Sequence, residues 1–357
     1  MSYQLYISRA SPYSSKIVAL LGYTDLEHQL RIQNAVNRYT VIRRLTGKTM
    51  VPVLRRGEWA INDSTEIAKY AMARSARPTL PMRPYETLAW FFEDFADEWM
   101  VRWMVHSRWH HREDAERAAE LIGRELTGRV PVGAKLLGRQ VARLLRRQVE
   151  LWGVRPGNDR ALHNSSLRCL EALEAVVSTG PAYLFAGYPT VADFAIYGAL
   201  IQYQSDPTGR QRLYNYPALL RYLRRMDGMA ERPPTVESVP GGERDIRELQ
   251  PLFAEMMGTY WPVMVANYRN RFAEVERRDV VAGLVDGSEF AYRQSSYLER
   301  RLQSLLELVD GAYASRDRLF GEAGMRMERA LVGHIAELCE SEAGRRLLRQ
   351  YQHVGMH

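Results

Sequence analysis

Cysteine is close to absent from this chain: two residues, Cys169 and Cys339, among 357. They stand far apart in helix-like stretches, so no disulfide framework is expected, and each reads as a small buried hydrophobe. Long apolar runs are missing too. No uninterrupted stretch approaches the ~20 residues a helix needs to span a bilayer, so no integral membrane segment is expected. Met1 leads almost directly into a strand-like run, without the basic flank and apolar core of a signal peptide. The expected compartment is therefore cytoplasmic. P-loops, G-x-S-x-G elbows and dinucleotide fingerprints do not occur. Zinc-finger spacings, RNA-binding aromatic motifs and strong helix-turn-helix matches are lacking as well.

What is there is the composition of an ordinary soluble protein, 46% hydrophobic and 25% charged. The length suits two or three domains. The net charge is +7, and part of it is local, in Arg139, Arg143, Arg146 and Arg147. That cluster reads as a solvated helix face, with an anionic membrane surface as the alternative. Without a recognition motif, no nucleic-acid partner is expected. His110 and His111 invite a metal reading. Adjacent helical residues point about 100° apart, so the two are poorly placed to share one ion. No cysteine or carboxylate set at ligand spacing joins them, and no metal is expected.

The first seventy residues carry the clearest pattern. Residues 4–8 read as a strand and 13–23 as a helix with Ile17, Val18, Leu20 and Leu21 on its apolar face. Residues 27–32 alternate His28, Leu30 and Ile32 against polar neighbours, the period of a half-buried strand. Residues 37–45 form a weaker helix ending at Gly47; 51–54 form a third strand, 55–58 a turn and 59–61 a fourth strand. Asp63 or Ser64 then caps a helix running to residue 73, with Glu66 suiting its positive end. The order is β-α-β-α-β-β-α, that of a thioredoxin-like α/β domain. Pro52 is awkward at the start of an inner strand because it removes a ladder donor. A cis peptide would explain it and would expose the Val51 backbone to a ligand.

Ser11-Pro12-Tyr13-Ser14 lies where the first strand hands over to the first helix, the place where thioredoxin-fold proteins do their chemistry. It has the shape of the C-P-Y-C motif of glutaredoxins with serine in place of both cysteines. That points away from disulfide exchange and towards binding or activating another molecule's thiol. Met50-Val51-Pro52-Val53-Leu54 and Asn62-Asp63-Ser64-Thr65 follow in order. With these three landmarks, residues 3–73 resemble the N-terminal domain of cytosolic glutathione transferases.

The resemblance implies roles. Ser11 would be the catalytic hydroxyl, donating a hydrogen bond to the glutathione sulfur, with Ser14 as the second candidate. The adjoining helix N-terminus would also favour thiolate over thiol. Val51, ahead of Pro52, would pair backbone to backbone with the cysteinyl part of glutathione. Ser64 and its helix N-terminus would suit the γ-glutamyl carboxylate, and Asp63 the ammonium. Tyr13 and Lys48 complete the expected glutathione-binding set. The serines and Asp63-Ser64 also read as helix N-caps, and Ser14 is the better pure cap of the two serines. Met50 departs from the polar residue that many classes carry there, and Lys48 is its candidate substitute.

Residues 75–84, with Pro78, Pro81 and Pro84, read as a linker. Beyond it strand patterns nearly vanish. Residues 86–111 form a long helical pattern rich in Trp and Phe, mostly core. In glutathione transferases this helix faces the cleft, so Trp99, Trp103 and His106 become candidates to line an apolar acceptor pocket. Thr190 and Asp193 form a Thr-x-x-Asp cap after Leu184 to Pro189. With Tyr216-Pro217 and Arg232-Pro233-Pro234, this extends the resemblance to about residue 236. Two regions exceed a minimal transferase. One is an enlarged helix–loop–helix over 112–155. The other is a region beyond the Pro240-Gly241-Gly242 boundary with helices near 245–257, 259–277, 289–314 and 322–351, and a turn or short hairpin near Asp286-Gly287. That region reads as added core or as a lid over the acceptor.

The expected layout is a thioredoxin-like glutathione-binding domain over 1–74, a linker over 75–84, an all-α domain over 85–238 and an additional helical region over 239–357. The expected function is a glutathione-dependent transferase-like enzyme with glutathione as co-substrate. It would attack a small apolar electrophile by conjugation, ether cleavage or isomerisation. The alternative is a non-catalytic protein that keeps the fold. A homodimer is expected from the resemblance.

Overall fold

The structure is a computed structural model, described here for residues 2–81, 85–128, 133–230, 244–271 and 273–314. The expectations for Pro84, Arg232-Pro233-Pro234, the 240–242 boundary, the 322–351 helix and Cys339 lie outside these residues.

Four strands, β1 (Tyr3–Ile7), β2 (His28–Ile32), β3 (Val53–Arg56) and β4 (Trp59–Ile61), form one sheet in the order β2-β1-β3-β4. β1 runs parallel to β2 and antiparallel to β3, with Leu5 opposite both Leu30 and Leu54. Helices α1 (Pro12–Tyr23), α2 (35–46, with a π-helical turn at Arg38–Arg43) and α3 (Ser64–Met72) complete a thioredoxin-like domain in the order the sequence predicts. Leu30 departs from the expected alternation. β2 is an edge strand, and Leu30 stays 47% exposed. Arg55 and Arg56 belong to β3 rather than to the turn.

Ile17, Leu20 and Leu21 of α1 and Ile67 and Ala68 of α3 are buried against Leu5 and Leu54. The same apolar cluster continues into the helical half. A long helix α4 spans 86–110, with a π-helical turn at Ala96–Met100. Next comes a helical hairpin, α5 (Arg112–Thr127) and α6 (Ala134–Leu151). It is followed by α7 (Asp159–Ser178), α8 (Val191–Ser205), α9 (Pro207–Leu213) and α10 (Pro217–Asp227). The Thr190–Asp193 capping box forms as expected, and Asp193 also accepts the Leu184 N–H at 2.9 Å. Gly198 lets α8 lie directly against the start of α1: a Cβ there would sit 2.5 Å from the Pro12 carbonyl oxygen.

The C-terminal part differs from the all-helical expectation. One helix, α11 (Gln250–Arg271), replaces the two expected over 245–277. Pro262 sits inside it and cannot donate to the Gly258 carbonyl; the Val285 N–H does so instead, at 2.8 Å. An antiparallel hairpin, β5 (Asp279–Gly283) and β6 (Glu289–Arg293), then precedes α12 (Ser296–Ala314). The turn near Asp286-Gly287 was legible, but the strand at 289–293 stood within an expected helix. Its period decides the matter: Val280, Ala282, Phe290 and Tyr292 are buried, while alternate residues face outward. These residues, with Leu252, Met256, Tyr260 and Leu298, join the main apolar cluster, so the addition is continuous core. Among the described residues, no helix is long and apolar enough to cross a membrane.

Candidate functional site

Ser11 is the N-cap of α1. Its Oγ accepts the Ser14 backbone N–H at 3.2 Å, and Pro12 takes the first helical position. Ser14 lies a turn deeper, buried, with its Oγ accepting the Ser8 N–H at 3.3 Å. The expected division of labour is thus corrected: Ser11 carries the cap and Ser14 ties the helix back to the preceding loop. A cap oxygen reaches the N–H three residues on, so the first serine of S-x-x-S is the one placed to do it.

The loop before Ser11 is held by distant residues. Glu125, at the end of α5, accepts the Ser8 hydroxyl at 2.6 Å and the Arg9 N–H at 2.6 Å. Burial raises its carboxyl above the ordinary range, and these donors partly oppose that shift. Arg108 Nη1 donates to the Ala10 carbonyl at 2.8 Å. Gln202 Nε2 donates to the Arg9 carbonyl at 2.9 Å and to Ser15 Oγ at 3.0 Å. Ser8, Arg9 and Ala10 are thereby each fastened to a helix of the α-helical half. None of the three anchors was legible in sequence, because each lies about a hundred residues or more from the loop.

The second wall is the Val51-Pro52 turn and the start of α3. The Val51-Pro52 peptide is cis. Asn62 Nδ2 donates to the Met50 carbonyl at 2.8 Å and the Pro52 carbonyl at 3.2 Å, bracing that turn. Asp63 caps α3, its Oδ1 accepting from the Thr65 and Glu66 N–H groups at 2.9 and 3.2 Å. Met50 and Lys48 are exposed. The two walls meet at Asp97, in the π-helical turn of α4. Tyr13 Oη donates to its carbonyl at 3.1 Å, and Ser64 Oγ to its Oδ2 at 3.3 Å. Lys16 Nζ reaches the same carboxylate at 2.6 Å.

Behind this junction lies a buried ionic network. Lys16, with no exposed surface, bridges Asp97 and Glu93, the latter at 2.5 Å. Glu93 also accepts from Thr65 Oγ1 at 2.6 Å and from Arg301 Nη2 of α12 at 2.9 Å. Arg301 pairs with Asp94 as well, and Tyr260 Oη of α11 donates to Asp94 at 2.6 Å. Burial pushes every carboxyl here upward. For Glu93, Lys16 and Arg301 outweigh it and hold the group below the usual range. For Asp97 burial prevails over Lys16 and lifts the carboxyl to about 6. Burial, reinforced by the charge of Asp94, lifts Glu98 to about 8. The network went unread in the sequence. Its signal was there: Glu93, Asp94 and Asp97 interrupt an otherwise apolar, aromatic stretch.

Residues 5–79 match the N-terminal domain of glutathione S-transferases, and residues 160–225 match their C-terminal domain. Both matched domains are those of the glutathione S-transferase superfamily. No curated protein sequence matches it. Similar solved structures include a β-etherase from Sphingobium sp., at 18% identity, covering 65% of this chain and 96% of that one, with a TM-score of 0.44. A glutathione transferase from Phanerochaete chrysosporium is 14% identical, covers 66% and 99%, and has a TM-score of 0.47. A glutathione S-transferase from Methylobacterium radiotolerans, solved with glutathione sulfonate, is 19% identical, covers 69% and 98%, and has a TM-score of 0.42. At these values they add nothing to the two domain matches. Asp97, Arg108, Glu125 and Arg301 all lie outside the matched stretches.

The aromatic face of α4 is largely covered. Trp99 is fully buried; its Nε1 donates to Ser165 Oγ at 2.8 Å, and its ring meets Phe290 edge-on at 4.9 Å. Gly153, at φ 93°, makes room for that ring: a Cβ would lie 2.3 Å from Phe290. The Asn158 side chain exchanges two hydrogen bonds with the Ala291 backbone, at 2.7 and 3.0 Å, and pins the hairpin down. Trp99 is therefore core, not pocket lining. Trp103 and His106 line a different cavity of about 380 Å³, between the end of α4 and the start of α7. There His106, His110 and Asp159 bring ligand atoms within 4.8 Å of one another. Judging His110 beside His111 missed this set; the pair that shares a helix face is His106 and His110.

Proposed function

We infer that this protein is a glutathione-dependent transferase that activates the glutathione thiol for attack on an apolar electrophile. The observation that carries the reading is the meeting of the α1 and α3 N-termini at Asp97, through Tyr13, Lys16 and Ser64. Two helix N-termini at one end of the sheet suit an anionic, extended ligand.

In this reading the thiolate lies over the start of α1. The Ser11 oxygen already accepts the Ser14 N–H, so its own proton is turned to the sulfur. That hydrogen bond and the helix dipole favour thiolate near neutral pH. Val51 offers its backbone to the cysteinyl unit, beside Pro52. Ser64 serves the γ-glutamyl carboxylate and Asp63 the ammonium, with Tyr13 and Lys48 at the rim. Conjugation, ether cleavage and isomerisation share the thiolate step. Disulfide reduction is disfavoured without cysteine at position 11. The layout of residues 1–74, 85–238 and 239–357, the homodimer and the cytoplasmic location belong to the same reading.

A second reading, a non-catalytic protein of this fold, is supported by the capping already done by the Asp63 carboxylate and by the covered face of α4. Calorimetry with glutathione, joined to turnover on a panel of electrophiles, separates the two. The enzyme reading expects binding that weakens in Ser64→Ala. It also expects turnover that falls by about 10²-fold in Ser11→Ala with binding retained. No binding at millimolar glutathione would defeat it. Binding without turnover on any electrophile would favour the second reading.

A further inference from the structure

We propose that the end of α4 and the start of α7 form a site for one divalent transition-metal ion, held by His106, His110 and Asp159. The site is apart from the glutathione cleft and is not needed for the reading above. Each helix contributes two residues four apart, His106 with His110 and Asp159 with His163, and such pairs share a helix face. All four line the same cavity. His106 Nε2 lies 2.8 Å and His110 Nδ1 3.8 Å from the one oxygen Asp159 Oδ1. The two imidazole rings are 5.1 Å apart and inclined by 33°.

A zinc-like ion bound at about 2.0–2.1 Å places tetrahedral donors about 3.4 Å apart, so small side-chain rotations close the set around an ion. Two imidazoles and one carboxylate suit zinc, nickel, copper or cobalt, whereas calcium and magnesium take all-oxygen sets. The three ligands leave coordination positions open to the cavity. Trp103 lines that cavity too, and its buried indole N–H has no acceptor among the described residues. A metal-bound hydroxide or small anion would supply one. Arg160 and Arg212 also line the cavity. They oppose a bare cation, which sets the expected affinity below that of structural zinc sites, and they suit the anion that fills its open position. On α4, His106 and Arg108 are about 200° apart. Arg108 faces the Ser11 loop, so the metal site looks the other way.

The test uses the full-length chain without an affinity tag, stripped with a chelator. It is titrated with zinc by calorimetry and with cobalt by visible absorption. One ion per chain is expected. His110→Ala should weaken zinc binding at least about tenfold and abolish the cobalt band. Its side chain is exposed, so the fold is retained, and circular dichroism checks this. Asp159→Asn should weaken binding likewise, and His28→Ala, far from the cavity, should leave it unchanged. No zinc binding at sub-millimolar concentration would overturn the proposal. So would equal affinity of His110→Ala and the parent chain, which would place the ion elsewhere.

Discussion

The wall built from Ser11, Val51-Pro52 and Asp63 and the aromatic helix α4 are both conspicuous in the sequence, one through short motifs and the other through a stripe of Trp and Phe. Their fates differ. In the wall, Ser11 and Asp63 sit at helix starts, each capping as its local spacing dictates. In α4 most of the stripe is packed away, with Trp103 lining a separate cavity. Trp99 is sealed by Phe290 from a hairpin nearly two hundred residues on, and the carboxylates of Glu93 and Asp94 are claimed by Arg301. A motif that shapes backbone is decided by its neighbours. A stripe of large side chains is assigned by whatever packs on it.

The comparison can be broken most forcefully at the seam between the regions. Lys16→Met leaves Glu93 and Asp97 buried without their shared cation, and it should cost about 3–5 kcal/mol in a denaturant titration. An unchanged midpoint would mean the network adds nothing to folding. Phe290→Ala should cost a similar ~3–5 kcal/mol and open Trp99 to quenching by acrylamide. If Trp99 fluorescence stays protected, the hairpin is not what covers α4. Glu125→Gln keeps shape but weakens the hold on Ser8 and Arg9. It should cost about 1–3 kcal/mol in stability, and under the enzyme reading lower turnover more than it raises KM.

Acid–base titration sharpens the same contrast. Glu98 and Asp97 have carboxyls raised in the folded state, to about 8 and about 6. The folded chain therefore holds protons that the unfolded chain, near 4, has released. Their contribution is fully present below the unfolded value and is lost as pH rises, through about 6 for Asp97 and about 8 for Glu98. Unfolding free energy should fall from pH 5 to 8, by at most ~1.4 kcal/mol per pH unit for each group below its folded value, melting temperature should fall with it, and Glu98→Gln should flatten the slope. Glu93, held low, acts in reverse on the acid side and loses its contribution as pH falls. The smallest effect is expected at Ser11→Ala, where loss of the cap should cost about 1 kcal/mol in thermal melts. A larger loss would mean Ser11 braces more than α1.

Much of the first seventy residues was legible because each element is decided within a few positions. The Thr190–Asp193 box, 180 residues on from Ser11, was legible for the same reason. The errors have one source. The 289–293 strand was hidden beside a helical pattern, although Phe290 and Tyr292 carried a period of two. The two helices expected over 245–277 are the single α11, in which the Val285 N–H of the hairpin takes the Gly258 carbonyl that Pro262 leaves unpaired. The four-residue spacing of His106 and His110 stood in the sequence behind the more obvious His110-His111, and Asp159 joins them only because α7 packs beside α4.

By itself, then, the sequence determined the thioredoxin-like order, the helix caps and the Ser11, Val51-Pro52 and Asp63 landmarks. Caps, turns and strand alternation act through bonds that reach three or four residues. Only the tertiary structure decided that Lys16 sits between Glu93 and Asp97, that Glu125 holds the Ser11 loop and that Phe290 closes over Trp99. Charge pairing, loss of water and close packing depend on distance through space, and distance along the chain says nothing of that.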